Sequence, residues 1–242
     1  MRAETICFSM STFYKYAHFF ESKRVFRTIQ FREKNHFRAS YPFEYLHIDT
    51  TKIFTQQQGW QRAVFVKDNY SKSLLHMQVV PTAGSSYIKD VIANTFKKYD
   101  LFSLHSPITI ISDNGSENKG ELSKWLSQNR MVHRVIAKID TDISNNMVES
   151  SNHQFKNVFL KNRVLPKTKE ELLQYLDEFE HYINLEWTPG EFYGLTPNEV
   201  LHGEYPDKDR FKQSIKRAQI ERVYQNQHIG LELCKVCGQG GL

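Results

Sequence analysis

Three strand-like runs come one after another before any helix. Residues 45–50, 63–67 and 73–80 are rich in β-branched and aromatic side chains, and the turn-prone Asp68-Asn69-Tyr70-Ser71 predicts a hairpin between the last two. From there helices and strands alternate. A helix is expected at 85–99, with Ile88, Val91, Ile92 and Phe96 on one face, then a short strand at 108–112 that ends in Asp113-Asn114-Gly115. A helix at 120–129, a strand at 132–137, a loop at 138–144 and helices at 146–161 and 169–187 follow; the last places Leu172, Leu173, Leu176, Phe179, Ile183 and Trp187 along one stripe. Only a mixed sheet fits this order: an antiparallel meander, then strands returned by helices, giving five strands covered on both faces.

The chain has 242 residues, of which 40% are apolar and 24% charged, enough to build a core and too apolar for a disordered chain. No run approaches the ~18 apolar residues of a membrane span, and the start lacks the continuous apolar segment of a secretory signal. Three cysteines, Cys7, Cys234 and Cys237, cannot build a disulfide scaffold, so a cytoplasmic location is expected. The net charge of +5 is concentrated in residues 1–40, which hold eight basic and three acidic groups interleaved with aromatics such as Phe13, Tyr14, Phe19 and Phe26. That arm reads either as a solvated helix and linker or as a segment lying on nucleic-acid phosphates. Residues 41–206 read as the core and 207–242 as a basic tail with a short helix and a loose Gly-rich end.

Three acids stand out by position: Asp49 at the end of the first strand, Asp113 just after the fourth, and Glu149 in the first turn of the helix after the fifth strand. If strands one and four are neighbours, Asp49 and Asp113 meet near their carboxyl ends, where open sheets bind ligands. Three carboxylates in one small site repel one another unless a cation sits between them, and all-oxygen ligation favours Mg²⁺ or Mn²⁺ over Zn²⁺. Two such ions activate an attacking oxygen and stabilise a leaving one at phosphorus. Taken singly, Asp49 also reads as a strand end, Asp113-Asn114-Gly115 as a turn, and Glu149 as half of a capping box with Asn146. Glu149, His153, Lys156 and Leu160 share a helical face, with Val148, Phe155 and Phe159 on the other. Lys156, Lys161, Arg163, Lys167 and Lys169 form a run without an acid, either a solvated helix end or a phosphate track.

Tyr45-Leu46-His47-Ile48-Asp49-Thr50-Thr51, Ser112-Asp113-Asn114-Gly115-Ser116-Glu117-Asn118 and Asn145-Asn146-Met147-Val148-Glu149-Ser150 resemble the catalytic core of integrase-like Asp-Asp-Glu transposases of bacterial insertion sequences, in the superfamily of retroviral integrases. The 35 residues between Asp113 and Glu149 match the spacing for which that group is known, and Tyr182-Ile183-Asn184 and Gly194-Leu195-Thr196-Pro197 look like its closing signature. The resemblance covers about residues 40–203 and implies a ribonuclease-H-like fold. It also implies strand cleavage and strand transfer on double-stranded DNA, and a homo-oligomer acting on two DNA ends. Asp49, Asp113 and Glu149 would hold two Mg²⁺ or Mn²⁺ ions, Lys156 and His153 with Lys161 and Arg163 would meet phosphates, and Asn114 and Ser116 would order the second acid's turn. Met10-Ser11-Thr12-Phe13-Tyr14-Lys15-Tyr16 resembles the last helix of the helix-turn-helix such enzymes carry upstream, so a shortened copy or the second product of a split gene is expected.

Two rival readings remain: a nuclease of the same fold that cuts without joining, and a non-enzymatic DNA-binding remnant. Cys234-Lys235-Val236-Cys237 is half a zinc ribbon or a tail without a role. His47 shares a strand face with Asp49 and is expected to be a hydrogen-bonded neighbour rather than a metal ligand.

Overall fold

A computed structural model describes residues 9, 11–12, 38–82, 84–115, 120–129, 131–137 and 145–237, with side chains omitted at 162 and 229–237. The basic arm up to residue 37 (residues 9, 11 and 12 aside), the loop at 138–144, Ser116, the Gly-rich end at 238–242 and the cysteine side chains therefore lie outside the described residues.

Residues 35–206 form one unit built on a five-stranded sheet in the order β3-β2-β1-β4-β5. The strands are β1 (Tyr45–Thr55), β2 (Gly59–Asp68), β3 (Leu74–Val80), β4 (Ile108–Ser112) and β5 (Val132–Ile136). The first three pair antiparallel and β4 and β5 join in parallel, so the expected mixed sheet is present. The turn after β2 is closed by Asp68, whose Oδ2 accepts from the backbone and hydroxyl of Ser71, both at 2.7 Å.

Alternation along β1 and β2 serves two cores. Leu46, Ile48, Val64 and Val66 face α1 (Ser85–Lys98) and α2 (Glu121–Gln128), packing on Ile88, Val91, Ile92, Phe96 and Leu122. On the other face, Ile53, Ala63 and Phe65 meet Val148 and Phe155 of the helical segment that starts with α3 (Asn146–Gln154), and Leu172, Leu176 and Phe179 of α4 (Lys169–His181). His47 and Asp49 belong by alternation to this second face, beneath α3.

Several elements depart from expectation. β1 and β2 run on to Thr55 and back from Gly59 as one long hairpin, because Thr51, Ile53 and Thr55 keep a buried alternation. The helices expected at 146–161 and 169–187 give way to π turns, Phe155–Phe159 after α3 and Tyr182–Glu186 after α4. The extra residue per turn carries Leu160 off the face of Glu149 and into the core, at 7% exposure. Leu173 also leaves the buried stripe and is exposed. Asn184, in the second π turn, donates to the Leu74 carbonyl (2.8 Å) and accepts from the Leu74 amide (2.9 Å), holding the edge strand β3. Thr196 and Glu199 form a reciprocal cap on α5 (Pro197–Leu201).

The C-terminal residues belong to a second unit. Instead of a short helix, Lys208–Cys237 forms a single 30-residue helix, α6, while the expected loose Gly-rich end lies outside the described residues. Asp207 Oδ1 accepts from the amides of Asp209 and Arg210 at 2.8 and 3.0 Å, capping its start.

Candidate active site

The sheet register brings the first two acids together. β1 and β4 pair with His47 opposite Ile111, and carrying that register forward by two residues sets Asp49 beside Asp113. The third comes from above, since Glu149 lies in the first turn of α3. Asp49 is half-buried, whereas Asp113 and Glu149 are exposed.

Asp49 feels both of the other acids. Burial pushes the Asp49 carboxyl up to about 6, and the negative charges of Asp113 and Glu149 push in the same direction. The Thr50 amide donating to Oδ1 (2.8 Å) and Asn152 Nδ2 donating to Oδ2 (2.5 Å) oppose the rise without cancelling it. The half-buried Lys156 has its pKa lowered by burial, partly offset by the charge of Asp49.

A metal is implied by the expected chemistry, and the donors present are all oxygens of the kind Mg²⁺ takes. Besides the carboxylates, Asn152 Oδ1 is buried without a hydrogen-bond partner among the described residues. The donor chemistry therefore fits a hard divalent cation. Among the described residues, however, no three His, Cys, Asp or Glu side chains stand close enough to hold a metal.

Polar contacts fix α3 against the sheet. Buried His47 donates through Nδ1 to Asn145 Oδ1 (3.0 Å) and accepts at Nε2 from Asn69 Nδ2 (2.9 Å). Burial pushes its pKa down to about 4, so the ring is neutral and works as a tie, the role expected of it. Asn145 Nδ2 donates in turn to the Ile48 carbonyl at 2.9 Å. Asn145, not Asn146, is the N-cap residue of α3 and makes no side-chain cap bond, so the helix does not start with the capping box read for Asn146 and Glu149. Lys67, fully buried and pushed down to about 8 by desolvation, donates to Ser151 Oγ at 2.6 Å. Arg134 on β5 donates to Ser112 Oγ (3.0 Å) and to the Asp113 carbonyl (3.2 Å), fixing the backbone that carries the second acid.

Asn145, Ser151, Asn152, Lys67 and Arg134 were not singled out by sequence, because by type they read as surface residues. Of the residues expected to meet phosphates, His153 is exposed one turn beyond Glu149 and Lys161 is exposed beyond the π turn; Asn114, expected to order the second acid's turn, is exposed next to Asp113. Arg163 is joined to Glu178 and lies over the rings of Phe159 (4.0 Å) and Tyr175 (5.4 Å).

The shift at Asp49 has a measurable sign. Its neutral form is the one the fold favours, so the folded state binds a proton that the unfolded chain releases above its ordinary pKa of 3.8. Stability from this group is full at acid pH and is lost as pH rises through about 6, a penalty on the order of 2–3 kcal/mol at pH 7.5. Asp49→Asn is therefore expected to raise the unfolding midpoint in chelator at pH 7.5 and to have little effect at pH 4. Chemical denaturation at the two pH values checks it, and equal stabilities at pH 7.5 would contradict the burial argument.

The sequence matches no known family profile, and no curated protein matches it. Solved structures do. A chain of the simian T-cell lymphotropic virus intasome in complex with PP2A regulatory subunit B56 gamma is similar at 17% identity and a TM-score of 0.56, over 69% of this chain and 57% of that one. This chain thus spans little more than half the length of that relative. The HTLV-2 integrase catalytic core domain, described in complex with magnesium in a dimeric form, is similar at 12% identity and a TM-score of 0.50, over 69% of this chain and all of that one. The protein carries the ribonuclease-H-like fold of integrase catalytic cores.

Proposed function

We propose that the chain is a DNA transposase of the integrase type, which cleaves a DNA strand and joins the resulting 3′-hydroxyl to a second DNA. The observation that carries this reading is the convergence of Asp113, set beside Asp49 by the β1–β4 register, and Glu149, in the first turn of α3, on the Asp49 carboxyl, at the carboxyl end of β4 where such folds bind ligands. Although they do not stand close enough to form a metal cluster as described, Asp49, Asp113 and Glu149, closed around a cation, would hold Mg²⁺ or Mn²⁺ together with Asn152 Oδ1, which has no hydrogen-bond partner among the described residues, and bound ions would supply activation of the attacking oxygen and stabilisation of the departing one.

The remaining work falls to this chain's side chains. Thr50 and Asn152 orient the Asp49 carboxylate, and Arg134 holds the Asp113 turn. His47 and Asn145 seat the first turn of α3, and so the backbone of Glu149, on β1. Lys156 brings a cation beside Asp49, suited to a substrate phosphate, with His153 and Lys161 further along the same segment. No covalent enzyme intermediate is required, since one oxygen displaces another at phosphorus. The dimeric form and the intasome described for the similar structures support assembly of copies on two DNA ends. No helix among the described residues is long and apolar enough to cross a membrane.

The test is a reaction of the purified full chain with Mg²⁺ and labelled duplexes taken from the DNA that flanks its gene. Joined products support transposase activity. Hydrolysis alone assigns a nuclease, and binding without turnover assigns a DNA-binding remnant.

A further inference from the structure

The outer end of the β1–β2 hairpin carries a surface that the carboxylate site does not use. Strand register sets Lys52 opposite Arg62, and Phe54 opposite Trp60 two residues further out. Residues directly opposite one another, and those two apart along a strand, share a face, so the four side chains form one ladder. By alternation this ladder continues the face of Leu46 and Ile48, opposite to that of Asp49.

Two features of the ladder are unexplained by folding. Like charges directly opposite each other destabilise a strand pair, and neither Lys52 nor Arg62 forms an ion pair among the described residues. Trp60 is 68% exposed and Phe54 40%, and neither belongs to a core cluster. Their rings meet edge to face at 5.4 Å, leaving indole surface open to solvent.

The platform is held in place. Gly59, at φ +69°, closes the turn that sets Trp60 against Phe54, and Thr55 Oγ1 donates to its carbonyl at 2.9 Å. The amides of Gln56 and Gln57 donate to the carbonyls of Pro166 and Lys167 at 3.0 and 2.9 Å, and Gln58 Oε1 accepts from the Lys169 amide at 2.7 Å. These bonds also bring the end of the basic run, Lys167 to Lys169, beside the hairpin tip.

We infer that this ladder binds an unpaired DNA strand, with phosphates on Lys52 and Arg62 and a base stacked on Trp60. Charge complementarity selects a polyanion, and the exposed ring beside the cations selects one that presents flat, unstacked faces, the combination that single strands offer. The assignment rests on the DNA-processing role proposed above and adds a contact outside its carboxylate site. Phe54 lies five residues from Asp49 along β1, about 17 Å at roughly 3.4 Å per residue, on the opposite face of the strand.

Fluorescence anisotropy on the full chain tests it, with two labelled DNAs: a blunt duplex and the same duplex carrying a five-nucleotide single-stranded tail. Trp60→Ala is expected to weaken binding of the tailed DNA about tenfold and to leave blunt binding nearly unchanged. Lys52→Gln combined with Arg62→Gln is expected to flatten the dependence of log affinity on log salt by between about one and two. Tailed-DNA affinity and salt slope equal to wild type in both variants would overturn the assignment, as would equal loss on both DNAs for Trp60→Ala. In either case, joining by the wild-type chain leaves the transposase reading standing. Conversely, the expected losses in a chain that binds but never cuts or joins sustain the platform and refute the transposase reading.

Discussion

Asp113→Asn is expected to fold as the wild type does and to lose Mg²⁺-dependent cleavage and joining by about 10³-fold or more. Asp113 is exposed and sits past the end of β4, so substitution there should change stability by no more than about 0.5 kcal/mol. An amide of the same shape keeps the turn that Arg134 holds through the Asp113 carbonyl, because that contact uses backbone. What disappears is one negative charge next to Asp49. In the metal-free protein that loss also relieves Asp49, whose carboxyl should titrate at a lower pH in the variant. Product formation on labelled DNA and an NMR titration of the Asp49 carboxyl measure the two effects. Wild-type joining by the variant would remove Asp113 from the mechanism, and an unmoved Asp49 titration would show that the two acids do not interact.

Phe155→Ala is expected to have the largest effect on stability, roughly 3–5 kcal/mol. Phe155 is fully buried, and its ring lies 6.0 Å from that of Phe65, 5.7 Å from Phe159 and 5.1 Å from Phe179, joining sheet, π turn and α4. The cavity left behind cannot close without moving those three rings. For a unit of this size the loss corresponds to a fall in Tm on the order of 10 °C. Asn152 precedes Phe155 by three residues on the same buried side of the helix, so Mg²⁺ should protect the variant less than it protects the wild type. A Tm within 2 °C of wild type would mean that the aromatic cluster is not what seats α3.

How far the sequence foretold these features differed with the kind of signal. β4 was legible to the residue, because Ile108, Ile110 and Ile111 are bounded by Pro107 and by Asp113-Asn114-Gly115. The outer hairpin was legible in principle from the alternation of Thr51, Ile53 and Thr55, but Lys52 and three consecutive glutamines read as loop. The length of α6 was available too, since no proline interrupts 208–237. The π turns were not available. Phe155–Phe159 contains neither proline nor glycine, and its geometry answers to rings from distant parts of the chain. In the site, the acids stood out by their places against the expected strand ends and helix start, although Asp49 lies mid-strand because β1 runs on to Thr55. Their supports did not, because Asn145, Ser151 and Asn152 acquire meaning only from the sheet beneath them.

The clamp that Asn184 places on Leu74 bears on how copies of this chain can meet. An edge strand with open amides and carbonyls is a template on which a neighbouring molecule can add a strand of its own. Here both outward groups of Leu74 are already occupied by one side-chain amide. Recruitment of a foreign strand at the start of that border must first evict an intramolecular mimic of it, so the molecule is shielded there from runaway sheet extension while keeping the strand itself long enough to close the core.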